Sequence, residues 1–232
     1  MNFYFKEDSS MNQNVKRLTV SGMMLALATV LAIVCAYIPF LNLPFGGGFT
    51  VASMLPIVIV AYMYGTKWGL FTSFCYALIQ IILSLTQGTS GTVMALFLPD
   101  SDGYMGSVGV GIAIILIDYI IAYTLLGLGG VFRNKISNKT VSLVVGVVFA
   151  LFLRYIAHIV SGYIFYGEWA ERFFTQEGFY AIGNVILNSM SGKLLSFVYS
   201  VFYNGLFMIP EIIITAIVAV PVSRIPAIKK IK

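Results

Sequence analysis

Charge is scarce in this 232-residue chain: Asp, Glu, Lys and Arg together make up 10% of it, against about 25% in a soluble domain. That shortage excludes an ordinary water-soluble globule. Histidine occurs once and cysteine twice, too few to close a structural zinc site or to build a disulfide framework. Cys35 and Cys75 fall inside apolar runs, where a free thiol behaves as a small apolar side chain. A phosphate loop of the form G-x-x-x-x-G-K-[ST] is also missing. The stretch "SMSGKLLS" comes nearest, but Leu187 stands where the first glycine belongs. No G-x-S-x-G elbow presents a serine nucleophile. An enzyme reading is left with little more than Asp118 and His158, and no cofactor is expected.

What fills the chain instead is hydrocarbon. Hydrophobic residues make up 59% of the sequence and mean hydropathy is +0.92, the profile of a protein that faces lipid. A spanning helix needs about 20 apolar residues, and six runs qualify: 17–38, 51–66, 68–86, 107–132, 141–166 and 195–222. The second is short and carries Pro56, which leaves open a five-helix reading with a re-entrant second segment. The first run is long and lacks a small-residue cleavage site, so it reads as a span rather than a signal peptide. The expected fold is an all-α integral membrane protein with six transmembrane helices. Residues 1–16 form an N-terminal segment, 17–222 the six-helix transmembrane domain and 223–232 a basic tail.

The net charge of +5 is a topology signal. Lys16, Arg17, Lys67, Arg133, Lys135, Lys139, Arg224, Lys229, Lys230 and Lys232 occupy alternate connections and the two ends. Lys and Arg concentrate in cytoplasmic loops, so both termini are expected in the cytoplasm. These charges are scattered over short loops and form no basic face for nucleic acid.

Four ionisable groups lie within the apolar runs: Asp118, Arg154, His158 and Glu211. Such groups are expensive in hydrocarbon and mark function or pairing. At 1.5 Å of rise per residue, Asp118 sits about 15 Å from the external end of its helix, and His158 and Asn204 about 12 Å from theirs. Arg154 and Glu211 lie deeper, at about 18 and 24 Å, and read as a structural ion pair or a helix-end contact. One carboxylate, one imidazole and one amide at similar depth, with Tyr119, Tyr163, Tyr166 and Tyr199 nearby, describe a pocket for a small, flat, cationic or amphiphilic ligand. The carboxylate answers a positive charge and aromatic faces add cation–π attraction. Each tyrosine taken alone also fits an interfacial belt. Ala28, Ala32 and Ala36 recur every fourth residue on the first helix, a smooth stripe suited either to a partner helix or to packing inside the bundle.

Four stretches carry a family likeness: "LPFGGGFTVASMLPIVIVAYMYGTKWGLFTSFCYALIQ" (43–80), "DYIIAYTLLGLGGVF" (118–132), "LRYIAHIVSGYIFYGEWA" (153–170) and "VYSVFYNGLFMIPE" (198–211). With its H-x₃-G-x₃-aromatic and Y-x₄-N-G patterns in that order, the chain resembles the thiamine-specific substrate-binding (S) components of energy-coupling factor vitamin transporters. The resemblance implies a protein of the bacterial cell membrane that binds thiamine from outside. It also implies docking onto a transmembrane coupling protein that carries two ATPase subunits. It assigns substrate binding to Asp118, Tyr119, His158, Tyr166, Trp169, Tyr199 and Asn204, and docking to Ala28 and Ala32. Asp118 replaces the family's usual glutamate, Tyr166 and Trp169 exchange the family's tryptophan and tyrosine, and residues 87–106 exceed the usual connection. The family's stacking tryptophan in the first external loop has no counterpart, with Phe40, Phe45 and Phe49 as candidates for its place. An S component for another vitamin or a thiamine precursor, a proton-coupled carrier and an intramembrane enzyme stay open as alternatives.

Overall fold

The computed structural model describes residues 7–42, 48–86, 92–176 and 180–229. Phe45, Gly46, Gly47, Glu177, Lys230 and Lys232 lie outside them. Seven helices organise the described chain: α1 (Glu7–Ala36), α2 (Leu55–Tyr64), α3 (Thr66–Thr86), α4 (Val108–Gly130), α5 (Lys139–Phe165), α6 (Tyr180–Ser189) and α7 (Gly192–Val222). Shorter helical turns lie between them. Five helices are long and apolar enough to cross a membrane: α1, α3, α4, α5 and α7.

The second expected span is the exception. α2 has ten residues and so rises only about 15 Å, half of a hydrocarbon core of about 30 Å. Its residues Leu55 to Tyr62 are all buried. A segment that is apolar on every side is satisfied by protein as well as by lipid, and here protein surrounds it. The chain leading into α2 is pinned rather than helical: Val51 N–H donates to Cys35 Sγ at 3.3 Å, and Thr50 Oγ1 donates to both Glu211 carboxylate oxygens at 2.8 Å. Gly65, at φ +90°, then turns the chain into α3. A side chain is strained in that conformation.

The other helices divide their faces between lipid and bundle. Val148, Phe152, Ile156 and Val160 of α5 are exposed, as are Ile209, Ile213 and Ile217 of α7. Inward lie Ser142, Ser161, Ser200 and Thr215, all fully buried. Small residues let the backbones approach, as in membrane bundles generally. A Cβ on Gly127 would collide with the backbone of Leu70, and one on Gly146 with the carbonyl of Gly129.

The basic connections gather at one end. Trp68 Nε1 donates to Ser21 Oγ at 2.8 Å, Arg133 Nη1 to the Met63 carbonyl at 3.0 Å, and Thr140 and Ser223 share a hydroxyl contact at 2.7 Å. These contacts tie the middle of α1, the start of α3, the α4–α5 connection and the end of α7 into one layer. Asp102, Trp169 and Arg172 belong to connections at the opposite end, and there the bundle is hollow.

Candidate functional site

α4 is not a uniform helix. It runs as α-helix over Val108–Ile114, as π-helix over Ile115–Ile121 and as 3₁₀-helix over Leu125–Gly130. Asp118 sits in the π segment. Wide π turns bond i to i+5 and recur at functional sites. Their spacing is visible here: Ile114 with Tyr119, and Asp118 with Tyr123, lie five residues apart, and all four line the same cavity.

The carboxylate meets two donors on α5. His158 Nδ1 lies 2.8 Å from Asp118 Oδ1, and Ser161 Oγ donates to Oδ2 at 2.7 Å. With Asp118 ionised, the imidazole proton sits on Nδ1. His158 Nε2 is buried and has no protein partner. The ring itself is held edge-on against Phe207 at 5.7 Å. Hydrogen bonds to a charged group contribute about 1.5–3 kcal/mol each, and two side chains of one helix hold the Asp118 carboxylate in place inside the bundle.

α5 and α7 meet directly below. Ser200 Oγ donates to the Ile159 carbonyl at 2.8 Å. Asn204 Nδ2 reaches the His158 carbonyl at 3.2 Å and the Ser200 carbonyl at 2.9 Å. The amide nitrogen is thereby committed to the helix contact, which leaves its carbonyl oxygen for a ligand. Gly162 makes the contact possible, because a Cβ there would collide with Ser200 Oγ and crowd Asn204 Nδ2. The H-x₃-G pattern thus has a packing cause.

These groups wall a cavity of about 580 Å³, within the usual range for a small-molecule site. Asp118, Tyr119, His158, Tyr166, Trp169, Tyr199 and Asn204 all line it. The walls are aromatic: Tyr199 and Tyr203 stack at 5.7 Å and 22°, and Tyr166 meets Trp169 edge-to-face at 6.0 Å and 88°. Tyr119 is fixed by its hydroxyl bond to Ser84 at 3.1 Å. At the rim Arg172 faces Asp102 at 3.7 Å, an exposed pair of the sort that contributes little. A carboxylate among electron-rich ring faces has the chemistry to attract a flat cation.

The sequence matches the thiamine transporter protein family over residues 18–100 and 104–179. The chain belongs to this family. The thiamine transporter ThiT of Bacillus subtilis (strain 168) is 31% identical over 219 residues, covering 90% of this chain and 91% of that protein. Among solved structures, ThiT from Listeria monocytogenes superposes with a TM-score of 0.59 at 18% identity, over 93% of this chain and 98% of that one; this likeness concerns the fold. With five apolar spans, this member of the thiamine transporter family is a multi-pass protein of the bacterial plasma membrane.

Against that family background several expectations change. Arg154 and Glu211 form no ion pair. Glu211 accepts from Thr50 Oγ1 and the Thr50 backbone N–H, and Arg154 lines the cavity instead. Ala28 is fully buried, with its carbonyl 3.4 Å from the Tyr76 hydroxyl, so it offers no outward docking face in this conformation. Ala32 is half-buried and, with the exposed Ala36, lines a smaller, half-open cavity of about 160 Å³. The small residues one turn apart on the exposed face of α1 are Gly22 and Ala26. Phe40 is 77% exposed and Phe49 packs on the core; neither lines the cavity. Sequence reasoning missed Tyr123, Tyr203 and Phe207, which line the cavity, and Ser161, which orients the Asp118 carboxylate. Ser161 was findable, since it stands one helical turn after His158 and so shares its face.

Proposed function

We propose that this chain is the high-affinity thiamine-binding S component of an ATP-driven energy-coupling factor importer. The observation that carries the reading is the Asp118 carboxylate, oriented by His158 and Ser161 within a cavity of aromatic walls. Thiamine offers what that cavity lacks: a flat thiazolium cation for Asp118 and the ring faces, and an aminopyrimidine able to donate to Asn204 Oδ1. The family membership and the named Bacillus relative support the substrate. By the tendency of Lys and Arg to stay inside, the basic end faces the cytoplasm and the cavity opens outward. Energy then comes from partners, a coupling protein and two ATPase subunits, since the sequence carries no phosphate loop.

The test is saturation binding of thiamine to the purified protein, followed by tryptophan fluorescence. The two tryptophans are Trp68 and Trp169. Trp68 lies at the basic end under Arg17, 4.1 Å from its ring centre, so a Trp68→Phe variant should retain the quench from Trp169. Tight binding of a pyrimidine precursor with no affinity for thiamine would overturn the assignment and favour a precursor-specific S component.

A further inference from the structure

Arg154 is buried, with 6% of its surface exposed, yet its neighbours satisfy it poorly. Its Nη1 donates to the Met54 sulfur at 2.9 Å, a weak acceptor. Its guanidinium carbon lies 4.4 Å from the centre of the Tyr123 ring, and Nε has no partner. Among the described residues no carboxylate lies within ion-pairing distance, because the pairs found are His158–Asp118 and Arg172–Asp102. Glu211 is occupied by Thr50 and Thr215, and Asp118 by His158 and Ser161. A guanidinium with five donors and no oxygen acceptor is costly in such a place. A purely structural arginine would be matched by a carboxylate or a run of carbonyls.

Arg154 also lines the cavity that holds Asp118, one helical turn before His158 and therefore deeper. The cavity thus presents a carboxylate at the level of His158 and an unsatisfied guanidinium below it. We propose that Arg154 is a ligand-binding residue that donates hydrogen bonds to an acceptor atom of the cationic ligand, remote from its positive centre. This rests on the thiamine reading. In thiamine the acceptors remote from the cation are the hydroxyl oxygen and the ring nitrogens of the pyrimidine. Arg154 then fixes which end of the ligand enters first and rejects flat aromatic cations that lack an acceptor at that distance. Buried polar groups left unpaired are the strongest source of such discrimination.

The experiment is a cycle of protein and ligand changes. Unsubstituted protein, Arg154→Met and Arg154→Lys are titrated with thiamine, with an analogue bearing ethyl in place of hydroxyethyl, and with an analogue bearing CH in place of a pyrimidine ring nitrogen. Thiamine should bind Arg154→Met tenfold or more weaker than the unsubstituted protein, with Arg154→Lys between them. One of the two analogues should lose tenfold or more on the unsubstituted protein and no further affinity on Arg154→Met, because the partner is already gone. Equal thiamine affinity in all three proteins, or analogue losses that persist in full in the variant, would overturn the assignment. If Arg154→Met does not fold, Arg154→Lys and the analogue series on unsubstituted protein decide the matter: two analogues that bind as well as thiamine overturn it. Failure of thiamine to bind the unsubstituted protein would instead overturn the functional reading itself.

Discussion

Asp118 and Arg154 divide the work of a site that has few charged groups. The carboxylate is oriented by two donors on one neighbouring helix, so its substitution tests charge rather than scaffold. Asp118→Asn keeps the shape and removes the counter-charge. The expected outcome is a loss of more than tenfold in thiamine affinity, at least ~1.4 kcal/mol, in protein that still folds in detergent. Isothermal titration checks it, and an unaltered dissociation constant would make Asp118 structural. The depth of Asp118, His158 and Asn204 was legible because polar groups in an apolar run can be placed by simple rise per residue. The surroundings of Arg154 were not. Opposite charges at neighbouring depths invite pairing, but Glu211 is drawn to Thr50, a residue in a non-helical stretch that sequence periodicity says nothing about.

At the scale of elements, two departures from regular helix position the site. The π segment of α4 brings Asp118 and Tyr123 to one wall at a spacing of five, and no periodicity argument anticipates it. Gly162 lets α7 approach α5 closely enough for Asn204 to bond the His158 carbonyl. Gly162→Val should therefore separate the helices, lowering thiamine affinity at least tenfold and stability by about 1–3 kcal/mol, the usual overpacking cost. Ligand titration and thermal unfolding of the same preparation read both effects; a variant with normal affinity would show that the contact yields without moving Asn204. α1 makes the opposite point. Alanines at every fourth position announce a smooth stripe but not the direction it faces, and Ala28 faces in. If a coupling protein packs on α1, it meets Gly22 and Ala26, where a Cβ on Gly22 touches nothing within 4 Å. Gly22→Trp and Ala26→Trp should abolish thiamine uptake in cells while leaving binding by the purified protein intact. Ala28→Trp should fail earlier, in folding. Normal uptake by both outward variants would remove α1 from the docking surface.

The whole molecule is polar along one axis: basic connections close one end, and a cavity opens at the other. Between them the bundle is filled. Below Arg154 and Phe207 lie Ile57, Val58, Leu126, Leu143, Val147, Leu151 and Met208, each with no exposed surface. The buried half-helix α2 contributes Ile57 and Val58 to this packing. Among the described residues, packed apolar side chains separate the cavity at Asp118 from the basic end. On the importer reading, a ligand moves across when this packing opens or when the whole bundle changes its attitude in the bilayer, driven by the coupling partners. Proteoliposomes containing the chain alone should then retain thiamine only in proportion to the protein present, with or without a proton gradient. Adding the coupling protein, its two ATPases and ATP should produce accumulation. The carrier reading predicts the reverse, accumulation by the chain alone when a proton gradient is imposed, and that result would show that the packed core beneath the cavity opens on its own.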